Sequence, residues 1–230
     1  MRHAFKPVDV WVFDLDNTLY PPKSDLFAQI DARMSSYIAE FLDIAETEAK
    51  VLQKHYYRTY GTTLRGLMTE HGLDPHHFLD HVHDIDHSVI AENVALAEAI
   101  AALPGRKFIL TNGTRRHAEN VSARIGITHL FEDVFDIVAA EFTPKPAKAP
   151  YDTFINQTGI RADRAAMFED LARNLEVPHA LGMRTVLVTA GEASNLRADW
   201  ENDGDTAAHV DYVTEDLATF LTDVLGALGD

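Results

Sequence analysis

The stretch that decides the fold is VFDLDNTLYPP, Val12–Pro22. It continues a short β-favouring run, VDVWVF at 8–13, and a strand buried on both faces of a parallel sheet reads this way. The run ends in Asp14 and Asp16, two carboxylates on the same side of an extended chain. Charge at the end of a buried strand has to be compensated. Its partners must therefore come from elsewhere in the sequence.

Outward from this run, similar apolar runs recur at 107–111 (KFILT), 134–139 (VFDIVA), 165–168 (AAMF) and 185–189 (TVLVT). Helical patterns lie between the later ones: RRHAENVSARIG, KAPYDTFINQTG and ARNLEVPHALG, closing at Gly126, Gly159 and Gly182. This alternation predicts an α/β fold, a doubly wound, Rossmann-like parallel sheet. A last strand and helix, HVDYVTEDLATFLTDVLGAL, complete the chain, with Thr214 as the expected N-cap. The polar stretch GEASNLRADWENDGDT before it reads as a surface connection.

From Ser24 to about Ala91 the rhythm breaks, because helical patterns follow one another without an intervening strand. Phe27, Ile30, Met34, Tyr37, Ile38, Phe41 and Leu42 form one apolar stripe, and Val51–Tyr60 reads as a second helix. The expected division is a core of residues 1–20 and 93–230 with an inserted all-helical module at 21–92. Such a module sits over the carboxyl ends of the strands, where these sheets bind ligands.

The 230 residues carry 36 acidic and 20 basic side chains, a formal charge of −16, which works against a surface for nucleic-acid polymers or anionic lipid. With no cysteine there is no disulfide framework and no thiolate zinc site. No apolar stretch reaches membrane-spanning length and the N-terminus lacks a signal-peptide pattern, so the expected location is the cytoplasm. A small anionic substrate remains compatible with this acidic balance, given local positive charge from a metal or a lysine, and the chain is expected to act as a monomer or homodimer.

Two acids at a strand end suit a hard cation such as Mg²⁺, which needs one or two protein carboxylates plus other oxygens. A carboxylate can also attack phosphorus while its neighbour moves the proton. Plain turn residues are as good a reading of the pair alone. An EF-hand loop fits poorly, since its sixth position would be Leu19 and its twelfth Asp25. A nucleotide-sugar transferase can also carry D-x-D, but it does not account for the motifs downstream.

Thr111, Asn112 and Gly113, in LTNG, end the next core strand before a helix, where a hydroxyl and backbone N–H groups can hold phosphate oxygens. Lys145 lies between two prolines in TPKPAKAPY. In MFEDLARN, Glu169 and Asp170 follow another strand, with Asn174 four residues after Asp170. Each has a plainer reading alone: a turn, a surface lysine, an acidic helix start.

Taken in order, the D-x-D-x-T, Thr, Lys and acidic-pair motifs resemble the haloacid dehalogenase superfamily over nearly the whole chain. The resemblance implies Asp14 as nucleophile, Asp16 as general acid/base, and Thr111 and Lys145 on the transferred phosphoryl group. It implies Mg²⁺ held by the Asp14 side chain, the Asp16 backbone carbonyl and Asp170. Glu169 would join directly or through water, with Asn174 behind it. The superfamily's dehalogenases lack an acid equivalent to Asp16, so this residue favours phosphoryl chemistry.

The helical insert looks like the C1 cap of that superfamily. Together with DLDNTLYPP, the stretches YYRTYGTTLRGLMTEHG and HDIDHSVI are similar to the pyrimidine 5′-nucleotidase branch, which hydrolyses nucleoside monophosphates such as UMP and CMP. Tyr20 and Tyr56 offer aromatic faces, and Arg65 and Asp84 offer polar contacts to phosphate, ribose or base. Core packing, an ion pair of Arg65 with Glu70 or Asp74, and helix capping are the competing readings. A sugar-phosphate or phosphoglycolate phosphatase, a phosphomutase and a non-catalytic acidic interaction protein are the alternatives in function.

Residues 71–87 hold six of the twelve histidines. His77 and His81 are four apart, as are His83 and His87, and His83-Asp84 resembles the dipeptide of metal-dependent HD phosphohydrolases. A solvated polar face is the other reading of this segment.

Overall fold

A computed structural model describes residues 2–189 and 207–229. The polar stretch 191–206 therefore lies outside the described residues.

Six parallel strands form one sheet: β1 Val10–Phe13, β2 Arg106–Leu110, β3 Asp133–Phe135, β4 Ala165–Glu169, β5 Arg184–Val188 and β6 Tyr212–Thr214. Their order is β3-β2-β1-β4-β5-β6, the doubly wound arrangement expected from the alternating pattern. The order reverses between β1 and β4, where Phe13 is in register with Ile109 on one side and Phe168 on the other. Asp14 thus emerges at the crevice where such sheets place ligands.

The two-residue period of the strands sorts their side chains onto two buried faces. Trp11, Phe13, Ile109 and Phe168 point into one core with α6 (Val94–Ala102), α7 (Arg115–Ile125) and α10 (Leu217–Gly229). Short α1 (Arg2–Phe5) adds Phe5, whose ring stacks on Trp11 with centroids 6.1 Å apart. Val10, Val12, Phe108, Leu110 and Met167 point the other way, onto Tyr151 and Phe154 of α8 (Lys148–Thr158) and onto Leu175 ahead of α9 (Glu176–Ala180). Gly126 and Gly159 close α7 and α8 in the left-handed conformation that suits glycine.

Between β1 and β2 lie α2 (Leu26–Leu42), α3 (Glu46–Tyr60), α4 (Thr63–His71) and α5 (Pro75–Val82). They share a core of their own: Ile30, Tyr37, Ile38, Ala49, Tyr56, Leu64, Leu67, Phe78, Leu79 and Val82, joined by Ile137 from the sheet side. Gly66 permits the close approach of α4 to α3, since a Cβ there would lie 2.4 Å from Cβ of Tyr56.

Three local expectations are corrected. The run 134–139 is a strand only to Phe135, because the Asp136 carboxylate accepts from Ala139 N–H (2.9 Å) and Arg115 N–H (2.8 Å) and turns the chain toward α7. In the insert, Phe27, Phe41 and Val51 are exposed, and α3 buries Ala49, Gln53 and Tyr56. At α10 the cap is Asp216, whose carboxylate accepts from Thr219 N–H at 3.0 Å, while Thr214 makes the preceding turn by accepting from Asp216 N–H. A carboxylate at that position also complements the helix dipole.

Candidate active site

Because all the strands are parallel, their carboxyl ends share one edge, which gathers residues distant in sequence. Asp14 follows β1, Thr111 follows β2, Glu169 ends β4 and Asp170 comes next. With Asp16, Asn112, Gly113, Lys145 and Asn174 they line a cavity of about 430 Å³.

Lys145 is the hub of this edge, 2 % exposed. Its ammonium donates to Asp14 Oδ1 (2.6 Å), Glu169 Oε1 (2.7 Å) and Leu110 O (2.9 Å), which accounts for its three protons. Burial works against the charged ammonium, but Asp14 and Glu169 overrule it and hold the lysine pKa above its usual value. The Asn112 side chain fixes the Lys145 loop, accepting from Lys145 N–H (2.8 Å) and donating to Lys145 O (3.3 Å). Thr111 Oγ1 accepts from Gly113 N–H at 2.9 Å.

Glu169 is fully buried and committed at both oxygens. Oε1 accepts from Lys145 and from Asn174 Nδ2 (2.7 Å), and Oε2 accepts from Leu171 N–H (2.9 Å). Burial favours its neutral form, yet Lys145 and these donors hold its pKa below the usual value. Asp14 differs. Burial pushes its pKa up to about 7, against the pull of Lys145 and with Glu169 and Asp16 adding repulsion.

Asp14, Glu169 and Asp170 each offer a carboxylate oxygen within 4.8 Å of the others, the grouping among the described residues that suits a metal ion. Three buried acids against one lysine leave negative charge for a hard dication to offset, and an all-oxygen donor set fits Mg²⁺. Glu169 is engaged at both oxygens, and so is Asp14, whose Oδ1 accepts from Lys145 and whose Oδ2 accepts from Thr18 Oγ1 at 3.2 Å, so an ion here would share these carboxylates with their present donors.

Asp16 faces a different set of partners. Its Oδ1 accepts from Tyr20 Oη (2.6 Å) and lies 2.8 Å from His117 Nε2. Burial favours a raised pKa, but the His117 ring and the Tyr20 hydroxyl reverse this and bring it to about 2. His117, wholly buried, did not stand out in the sequence. Its one signal was a histidine on the apolar face of α7, beside Ala118 and Val121, three residues after the N-cap Thr114.

The insert contributes Asp31, Gln53, Lys54, Tyr57, Gly61–Leu64 and His83 to the cavity wall. Four residues expected at the substrate lie elsewhere. Tyr20 is buried against Asp16, with no face open to stacking; Arg65 does not line the cavity; and Asp84 points outward, 83 % exposed and 3.2 Å from Arg33. Tyr56 is core, its hydroxyl paired with His71 Nε2 at 2.7 Å. His77 Nδ1 similarly meets the Tyr37 hydroxyl at 2.8 Å. His83 and Asp84 diverge, so the HD-type metal reading has no ligand cluster among the described residues.

Residues 8–182 match the family described as haloacid dehalogenase-like hydrolase. The chain belongs to this family. Phosphate metabolism protein 8 of Saccharomyces cerevisiae is 24 % identical to this hydrolase over 232 residues, covering 94 % of the chain and 70 % of the yeast protein. Among solved structures, L-2-haloacid dehalogenase from Xanthobacter autotrophicus superposes with a TM-score of 0.61 at 18 % identity, covering 95 % of this chain and 99 % of that one. An HAD phosphatase from Thermococcus onnurineus gives 0.63 at 14 % identity, covering 96 % and 99 %. These structural likenesses establish the shared fold. No helix among the described residues is long and apolar enough to cross a membrane.

Proposed function

We propose that this hydrolase is a Mg²⁺-dependent phosphomonoesterase acting on a pyrimidine nucleoside 5′-monophosphate through an aspartyl-phosphate on Asp14. The observation that carries the reading is the second acid: Asp16 stands in the same cavity as Asp14 and Lys145. Displacing a halide needs no proton donor, whereas an ester oxygen leaving phosphorus does.

In the first half-reaction an Asp14 carboxylate oxygen attacks phosphorus, the bond from phosphorus to the 5′ oxygen breaks, and Asp16 protonates the departing oxygen. In the second, water attacks the phosphorus of the acyl phosphate, Asp16 takes its proton, and Asp14 is regenerated with release of phosphate. Asp16 in the ligand-free site is ionised, the form that accepts a proton from water. The negative charge of an arriving phosphate raises its proton affinity and prepares the donating form.

Lys145 offsets charge on the transferring group and Thr111 offers a hydroxyl beside it. Mg²⁺ bound at Asp14 and Asp170 would neutralise further charge, with the Asp16 carbonyl as the third protein ligand that the family resemblance implies.

For the substrate, support comes from the insert. Residues 61–64 of the nucleotidase-like stretch line the cavity, and the Gln53 amide donates to Asp31 Oδ1 at 2.7 Å beside them. The wall mixes polar Asp31, Thr62 and Thr63 with apolar Ile30, Met34 and Phe78, a lining that suits an organic group with hydrogen-bonding edges, and the volume falls within the ordinary range for small-ligand sites. The name of the yeast relative agrees with phosphate chemistry.

A phosphate-release screen with Mg²⁺ across UMP, CMP, AMP, glucose 6-phosphate and phosphoglycolate tests the reading. It predicts fastest turnover of UMP or CMP. Faster turnover of a sugar phosphate would keep the chemistry and replace the substrate.

A further inference from the structure

We infer that His117 is the positioning residue of the proton carrier Asp16, and that the His83–His87 segment of the helical insert holds the His117 ring in place. The inference rests on the proposed role of Asp16.

The His117 ring has one contact on each nitrogen and one on its face. Nε2 lies 2.8 Å from Asp16 Oδ1, and a carboxylate oxygen accepts, so Nε2 carries the proton. Nδ1 lies 3.4 Å from His87 Nε2. The face stacks on the His83 ring, with centroids 4.6 Å apart and planes 19° apart. His83 Nδ1 is itself 3.3 Å from Thr114 Oγ1, which caps α7 by accepting from His117 N–H. The glycine of LTNG fits the same arrangement, because a Cβ at Gly113 would lie 3.2 Å from His117 Cδ2 and crowd the ring.

The consequence falls on one atom. With Oδ1 taken by Tyr20 and His117, the oxygen of Asp16 left to exchange a proton with substrate is Oδ2. His83 lines the cavity and His117 does not, so the ring acts through Asp16 rather than on substrate. His83 and His87 come from the insert while Asp16 and His117 belong to the sheet side. Docking of the insert therefore completes the support of the acid, a role for the His-rich segment that neither metal binding nor solvation supplies.

Leaving-group dependence tests this. An alkyl ester needs a proton donor and an aryl ester with a good leaving group scarcely does, and kcat/KM covers only the steps through phosphorylation of Asp14, before Asp16 serves as base, so a misplaced acid should lower kcat/KM for the first ester alone. The probes are p-nitrophenyl phosphate and UMP, or glucose 6-phosphate if the wild type hydrolyses that faster. His117→Phe should lower kcat/KM about 100-fold on the alkyl ester and no more than about fivefold on the aryl ester, while kcat falls on both because Asp16 is also the base for the shared phospho-Asp14 intermediate. His117→Gln, which keeps a donor, should recover at least about tenfold of the alkyl loss.

His87→Ala, at a more exposed position, should show the same selectivity at about three- to tenfold, and it serves if His117→Phe fails to fold. Equal losses of kcat/KM on the two esters, or none on either, would overturn the positioning role. A wild type that hydrolyses neither ester would instead overturn the phosphatase reading, and this inference with it.

Discussion

Lys145 Nζ donates to Asp14 Oδ1 at 2.6 Å across 131 residues of sequence, and both side chains are buried. The pair is unequal in its dependence. Lys145 has a second carboxylate in Glu169, whereas Lys145 is the cation that Asp14 and Glu169 share. Lys145→Met should therefore destabilise the protein by about 3–5 kcal/mol by leaving two buried carboxylates without their cation. Asp14→Asn should cost far less. Urea unfolding of the two variants without Mg²⁺ checks the asymmetry, and equal losses would count against it.

The raised pKa of Asp14 gives a pH dependence with a definite sign. Its folded-state value, about 7, lies above the unfolded carboxylate value of 3.8. A raised folded pKa contributes stability that is fully present below the unfolded value and lost as pH rises through the folded one. Without metal, the wild type should thus lose stability from about pH 4 to about pH 7 through this group, and Asp14→Asn should not. Mg²⁺ needs the deprotonated carboxylate, so its effect on Tm should be larger at pH 8 than at pH 6. Thermal unfolding at both pH values, with and without Mg²⁺, measures this directly.

Glu169 and Asp170 are adjacent but should separate on mutation. Glu169 has its oxygens on Lys145, Asn174 and Leu171, and Asp170 sits in the acidic group suited to the ion. Asp170→Asn should raise the Mg²⁺ concentration for half-maximal activity by about 10- to 100-fold, the range seen when metal sites lose a supporting group, or by more. Glu169→Gln should chiefly lower kcat by loosening Lys145. Mg²⁺ titrations of phosphate release distinguish the two.

Gly66 tests the packing of the insert. A methyl at this position meets the root of the Tyr56 side chain, whose hydroxyl is tied to His71, so it cannot swing aside freely. Gly66→Ala should destabilise the insert by about 1–3 kcal/mol. Because residues 61–64 lead into α4 and line the cavity, KM should rise more than kcat falls.

Much of the sheet was legible because a parallel strand buried on both faces must be continuously apolar, as VWVF and AAMF are. The residues at the site edge were legible for a related reason: a charge directly after such a strand, as at Asp14 or Glu169, needs a functional or compensated setting. The insert was harder to read. Phe27, Phe41 and Val51 look like core by type and are exposed, while Gln53 looks polar and is buried through bonds to Ser35 and Asp31. His117 and Tyr20 acquire meaning only when α7 and the chain after β1 converge on Asp16, a contact spanning 101 residues for the histidine. Asp84 lies outward beside Arg33, a partner 51 residues away that local pattern does not indicate.

The central claim is that Asp14 attacks phosphorus in a Mg²⁺-dependent ester hydrolysis. Phosphate release from UMP with Mg²⁺, measured for the wild type and for folded Asp14→Asn, tests it most directly. The wild type should turn over steadily and stop on chelation, and the variant should lose at least about a thousandfold. Undiminished release by Asp14→Asn, or a wild type inert toward every phosphate ester offered, would contradict it.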